Sequence, residues 1–299
     1  MVYDSKPIFG TMIPAMVTPF DKEGELDLDQ AQALAKRLVD NGADGLVING
    51  TTGESPTVFY PQKMKLFSAV VEAVSGRVPI VANVGDNCTA DTVQFAREVE
   101  KLGVDGCMLV VPYYNKPPQE GLYQHFRTIA EAIDLPCILY NIPGRCVINM
   151  LPETTLRLAN DVDNIVGVKE ASGNLEQIGQ IIDAAPKGFY VYSGEDEQTY
   201  DIMKMGGAGI ISTIGNVAPA RMREVVDLCA AGDWEAAAKA NEALLPLMKE
   251  LFITSNPIMV KEALNLAGFP VGGLRLPLIP ATPEQSAELA EVMRQVGVL

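Results

Sequence analysis

Short apolar runs alternate with longer stretches of helical period along most of the chain. The runs read MIPAMVT (12–18), GLVIN (45–49), PIVANV (79–84), GCMLVV (106–111), CILYN (137–141), IVGVK (165–169), FYVYS (189–193) and GIISTI (209–214). Their length and β-branched content predict buried strands. Between several of them lie LDQAQALAKRLVDNGA, QKMKLFSAVVEAVSG, TADTVQFAREVEKLGV and LEQIGQIIDAAP, whose apolar residues recur at i, i+3 and i+4. That spacing predicts amphipathic helices. Three of the helix ends, in DNGADGLV, KLGVDGCM and KMGGAGII, carry the Gly expected just past a helix C-terminus. Eight such units within residues 1–230 predict an α/β fold, a (β/α)8 TIM barrel. A doubly wound open sheet is the alternative, but it rarely needs eight uniform units. Beyond this point no further strand is predicted. WEAAAKANEALLPLMKELF, NPIMVKEALNLAG and TPEQSAELAEVMRQVG read as helices separated by Pro, so residues 231–299 are expected to form a C-terminal helical extension on the barrel.

Composition narrows the function classes. Of 299 residues 48% are hydrophobic, enough for a large core, and no apolar run approaches a membrane span. The net charge of −15 argues against nucleic acid or an anionic membrane as partner. The N-terminal segment lacks the pattern of a signal peptide. The five cysteines (Cys88, Cys107, Cys137, Cys146, Cys229) form no C-x-x-C pair, and a reducing cytoplasm is the simplest setting. Cys107 and Cys137 lie inside apolar runs and read as core residues.

Active sites of such barrels gather at the C-terminal ends of the strands. There the sequence places GTTGES (50–55), VPYYNKP (111–117), LYNIPGR (139–145), Lys169 and SGEDE (193–197), whereas the loops after the helices are short and carry no comparable cluster. Strand alternation puts Ile165, Gly167 and Lys169 on one face and Val166, Val168 and Glu170 on the other. Lys169 is then either a structural charge at a strand end or an amine facing an apolar interior. An ordinary lysine, with pKa ~10.4, is protonated at neutral pH. Desolvation favours the neutral amine, which attacks a ketone to give a Schiff base. Position alone leaves both readings open.

The neighbouring loops fit small carboxylated substrates. Thr51 and Thr52 offer hydroxyls and backbone N–H groups to one carboxylate, although the same residues would suit an ordinary turn. Tyr113, Tyr114 and Tyr140 are either packing or phenols able to relay protons. Arg145 is either a surface charge or the bidentate partner of a second carboxylate. MGGAG (205–209) follows a helix and precedes a strand, the reverse of a dinucleotide loop. His125 is the only histidine, which makes a zinc-dependent mechanism unattractive and favours a structural role for that residue. No cofactor or metal is expected.

Taken in order, AMVTPF, GTTGES, PYYNKP, YNIPGR, GVKEASGN, GIISTIGNVAP, NPIMVKEAL and LRLPL make the chain resemble the dihydrodipicolinate synthase / N-acetylneuraminate lyase family over nearly its whole length. The resemblance implies a Schiff base between pyruvate and Lys169, with Tyr140 exchanging protons beside it. It implies that Thr51 links Tyr140 to Tyr114, the latter supplied by a neighbouring subunit of a homotetramer. Thr51 and Thr52 would hold the pyruvate carboxylate, and Gly194 and Ile211 would line the site through their backbones. GTTGES and the placing of Arg145 resemble the synthase branch, in which the arginine binds the carboxylate of aspartate semialdehyde. The implied product is 4-hydroxy-tetrahydrodipicolinate, a step toward lysine and diaminopimelate. A 2-keto-3-deoxy acid aldolase or a sialate lyase is the rival of the same chemistry. A pyridoxal-phosphate barrel would need a phosphate site, which the sequence does not show. A non-catalytic barrel would form no covalent adduct.

The chain also departs from the family pattern. Cys146-Val147 stand where synthases usually have Thr-Gly, and Asn83 and Val84 alter the usual Gly-Thr-Gly-x-Asn. Ser55, Asn87 and Tyr113 match the lysine-inhibitor site of regulated synthases, with Asp91 replacing a common glutamate. Tyr60 and Lys63 stand where some synthases have histidines. Weak or absent lysine inhibition is the expectation.

Overall fold

The computed structural model describes residues 6–299. Eight parallel strands form one sheet: β1 (Met12–Pro14), β2 (Leu46–Ile48), β3 (Ile80–Asn83), β4 (Gly106–Val110), β5 (Cys137–Asn141), β6 (Ile165–Glu170), β7 (Tyr190–Ser193) and β8 (Gly209–Ser212). From β2 to β8 each strand pairs with the next in sequence, and β1 pairs with β8. Just past β1, a bridge between Ala15 and Val47 and a bond from Met16 N–H to the Val47 carbonyl (2.9 Å) close the ring at β2. This is the expected (β/α)8 barrel.

The helices are α1 (Leu28–Asp40), α2 (Tyr60–Val74), α3 (Thr89–Val99), α4 (Gln119–Ala130), the single turn α5 (Pro143–Cys146), α6 (Pro152–Asp161), α7 (Leu175–Ala184), α8 (Thr199–Lys204) and α9 (Pro219–Ala231). Then come α10 (Trp234–Glu250), α11 (Ile258–Leu266) and α12 (Pro283–Gln295), with no strand between them. In α1 the buried residues are Ala31, Leu34, Ala35 and Leu38, the stripe its sequence periodicity predicts. Its first turn is capped by Asp27, which accepts from the Gln30 N–H at 2.9 Å. Such a cap contributes about 1 kcal/mol. Gly42, Gly103 and Gly206 all adopt the left-handed conformation expected after a helix (φ 101°, 80° and 108°).

Two apolar layers result. Ile13, Val47, Val81, Met108, Ile138 and Ile211 fill the barrel interior. The opposite strand faces pack on the helices, where Cys107 and Cys137 are buried as expected. All five thiols are unpaired, and Cys88 is exposed.

The expected alternation of β6 needs correction. Its register against β5 jumps between Cys137–Ile165 and Ile138–Gly167, so β6 carries an extra residue there. Ile165 therefore packs outward among the helices, while Val166 turns toward the interior. From the bulge onward the prediction holds: Val168 faces the helices and Lys169 the barrel interior, beside Tyr140. A side chain at Gly167 would place its Cβ 2.5 Å from the Tyr190 carbonyl oxygen, so the crossing to β7 requires glycine here.

Candidate active site

Register is what brings the lysine and the tyrosine together. Tyr140 and Lys169 are direct partners across β5 and β6, with both side chains pointing inward. The Lys169 Nζ lies 4.4 Å from the Tyr140 ring centroid, and the two residues are 5% and 3% exposed. Among the described residues the Lys169 amine makes no ion pair. The structural charge of this strand end is instead Glu170. Its carboxylate accepts from Asn141 Nδ2 (2.8 Å) and Ser172 Oγ (2.6 Å) on the outer side of the barrel wall. Burial pushes the Glu170 carboxyl up, and these hydrogen bonds oppose the shift.

Two more acids follow β7. Asp196 is fully enclosed and accepts from Ser212 Oγ (2.6 Å) and from the N–H groups of Ile214 (2.9 Å) and Thr213 (3.1 Å). It thereby fixes the end of β8, next to Ile211. Burial raises the carboxyl groups of Glu195 and Asp196, while the charge of Lys169 pulls both the other way. Gly194 donates its N–H to the Glu170 carbonyl at 2.6 Å, which holds the loop close over β6.

The loop after β2 is rigid. Gly53 and Glu54 donate their N–H groups back to the carbonyls of Gly50 (3.1 Å) and Thr51 (3.0 Å). The Thr18 hydroxyl donates to the Gly53 carbonyl at 2.6 Å. Glu54 has a left-handed backbone (φ 54°), and its buried carboxylate pairs with buried Lys261 of α11 at 2.9 Å. Its other oxygen accepts from the Arg275 N–H at 3.1 Å. Thr52 is buried and accepts from Asn256 Nδ2 at 2.9 Å. Arg145, on α5, donates to the Asn256 carbonyl at 3.3 Å.

A cavity of about 470 Å³ opens over this cluster, lined by Thr51, Tyr140, Arg145, Ser55, Tyr113 and Lys63 among others. Expected residues thus converge on the cavity from the ends of β2, β4 and β5, with Lys169 of β6 against the Tyr140 ring; Thr52 and Ile211 are buried and Gly194 is half-buried. Asn87 joins indirectly, donating to the Tyr113 carbonyl at 3.1 Å. Tyr113 donates its hydroxyl to Asp86 (3.0 Å), and its pKa is pushed up to about 12 by burial and by that carboxylate. Asp91 is exposed in the first turn of α3, away from the cavity lining. Tyr114 does not join its own site. It is 88% exposed on a left-handed backbone (φ 75°), a conformation held only where the surroundings determine it. Sequence reasoning missed Glu54, Lys261, Asn256 and Asp196. Only the N-P step at 256–257 and two charges within otherwise helical or loop text were there to mark the first three.

A sequence profile described as "Dihydrodipicolinate synthetase family" matches residues 8–296. The chain belongs to the dihydrodipicolinate synthetase family. It is 52% identical to the 4-hydroxy-tetrahydrodipicolinate synthase of Symbiobacterium thermophilum, over 98% of this chain and 100% of the relative. The crystal structure of the dihydrodipicolinate synthase from Thermotoga maritima matches with a TM-score of 0.96 and 43% identity, covering 98% of this chain and 100% of that one. The enzyme from Cyanidioschyzon merolae, solved with lysine bound, matches with a TM-score of 0.97 and 42% identity, covering 98% and 100%.

Within this dihydrodipicolinate synthetase fold the unusual residues have definite places. Val147 occupies a left-handed conformation (φ 71°) at 65% exposure. A glycine would adopt it freely, whereas a β-branched residue is strained there. Asn83 lines the cavity and donates to the Asn49 carbonyl at 3.0 Å and to Ser55 Oγ at 3.4 Å. Lys63 Nζ donates to the same Ser55 Oγ at 3.2 Å.

Proposed function

We propose that the chain is a Schiff-base-forming lyase that condenses pyruvate with L-aspartate-4-semialdehyde to give 4-hydroxy-tetrahydrodipicolinate. The carrying observation is the Lys169 amine, without an ion pair among the described residues and buried against the ring of Tyr140, which lines a cavity together with Thr51 and Arg145. The amine attacks the pyruvate ketone and water leaves, giving an iminium. That cation makes the methyl group acidic, and loss of a proton yields an enamine. The enamine carbon then attacks the aldehyde. The amine of the second substrate attacks the former ketone carbon, closes the ring and releases Lys169. Tyr140 moves protons at these steps as a neutral phenol, and Thr51 and Thr52 hold the pyruvate carboxylate. Gly194 and Ile211 shape the site through their backbones. No external cofactor is needed, because the Schiff base itself is the electron sink.

Arg145 reads the carboxylate of the aldehyde substrate. Arg145→Ala should therefore keep the pyruvate adduct and lose turnover with aspartate semialdehyde by about 100-fold or more, the scale of a lost bidentate contact to a charge. Unchanged turnover in a coupled assay would refute the assignment. Preference for a 2-keto-3-deoxy acid or for N-acetylneuraminate in the same assay would favour the rival reading.

Tyr114 is proposed to reach the Thr51 of a second copy within a homotetramer, which its exposure on a strained backbone supports. Retained full activity in a demonstrably monomeric sample would oppose this. The group of Ser55, Asn87, Asp91 and Tyr113 is proposed to be a weak lysine site, because Asp91 lies away from the cavity and Lys63 Nζ already bonds Ser55 Oγ at 3.2 Å. Strong inhibition by free lysine at low concentration would sink that proposal. A cytoplasmic setting is proposed for the reaction, which the five unpaired thiols support.

A further inference from the structure

Asn256 precedes α11 on the C-terminal extension, 204 residues from Thr52, yet it meets two substrate-binding groups. Its Nδ2 donates to Thr52 Oγ1 at 2.9 Å in a buried contact, and its carbonyl accepts from Arg145 at 3.3 Å. The residue is 6% exposed and borders the active-site cavity. A hydroxyl has one hydrogen and two lone pairs. Here the amide N–H fills a lone pair, so the Thr52 hydrogen is not spent on Asn256. Among the described residues that hydroxyl donates to no protein acceptor. Asn256 Oδ1 has no hydrogen-bond partner, so this is the side chain's one bond. With Nδ2 toward Thr52 the amide leaves Oδ1 and one N–H without a partner; reversed, it would leave both N–H hydrogens without one.

We infer that Asn256 is a positioning residue that sets the direction of the Thr52 O–H, keeping its hydrogen free for the carboxylate of the bound 2-oxo acid. The same residue steadies Arg145 through its carbonyl, so one segment of the extension holds both carboxylate-binding groups. The inference rests on the reading of Thr51 and Thr52 as the pyruvate carboxylate cradle.

Asn256→Asp tests it with almost no change of shape. The new carboxylate can only accept, so it takes the Thr52 hydrogen away from the substrate and adds a repelling charge. The KM for pyruvate should rise about 10- to 100-fold, the value of a hydrogen bond to a charged group. At saturating pyruvate, kcat should fall much less, and borohydride should still trap the adduct on Lys169. Adding Thr52→Val to Asn256→Asp should cost nothing further. An unchanged pyruvate KM, or additive effects of the two substitutions, would overturn the inference. Should Asn256→Asp not fold, the same cycle with Asn256→Ala decides by the same criterion. The wild-type adduct separates the layers: its absence defeats the Schiff-base reading, whereas its presence with an unmoved KM defeats only the role of Asn256.

Discussion

Lys169 and Glu170 are adjacent in the chain but occupy opposite sides of the barrel wall, and burial acts on them through different neighbours. Glu170 is held by Asn141 and Ser172, whereas Lys169 has the face of an aromatic ring. The ring thus packs on Lys169 Nζ where Glu170 has hydrogen-bond donors, and no carboxylate among the described residues forms an ion pair with that nitrogen. His125 shows the cost of burial for a titrating base. Its Nδ1 lies 2.8 Å from the Thr89 hydroxyl, and burial drops its pKa from 6.5 to about 4, with the charge of Asp86 opposing slightly. Above pH ~6.5 the ring is neutral in both folded and unfolded chains and has no effect. Between ~6.5 and ~4 only the unfolded chain takes the proton, so stability falls with falling pH by up to about 3 kcal/mol. His125→Asn should flatten the loss between urea midpoints measured at about pH 7 and pH 4.5. An equal loss in both proteins would rule this out.

At the scale of elements, the extension acts as part of the site's frame. The Glu54–Lys261 pair joins the β2 loop to α11, and Lys261 also donates to the Thr18 carbonyl at 2.9 Å. Burial lowers the Lys261 pKa, and Glu54 opposes that shift. Removing one partner leaves a buried charge alone, which costs about 3–5 kcal/mol. Lys261→Met should lower unfolding stability by that order, and adding Glu54→Gln should recover much of it. A Lys261→Met protein as stable as wild type would show that the pair is not buried as described. Such pairs explain what could be read from the sequence and what could not. Periodicity and helix-end glycines carry the barrel, and strand ends carry Lys169, Thr51, Tyr140 and Arg145, because these signals are local. The bulge in β6 was invisible because Val166 is apolar and suits either face. Glu54–Lys261 and Thr52–Asn256 span more than 200 residues, so no local pattern marks them.

For the whole molecule, closure of the barrel matters most. A ring of eight strands puts the ends of β2, β3, β4 and β5 around one cavity, with Lys169 of β6 against Tyr140 in its lining, so residues far apart in sequence meet at one place. A net charge of −15 does not hinder the binding of anionic substrates where Arg145 and Lys169 set the local field. The described residues contain no helix long and apolar enough to cross a membrane. The account stands or falls on Lys169, and one measurement reaches it directly: borohydride reduction in the presence of pyruvate, followed by peptide mass mapping. The account predicts a single reduced pyruvate adduct on the peptide carrying Lys169, absent in Lys169→Ala. No adduct, or an adduct on another lysine, would contradict it.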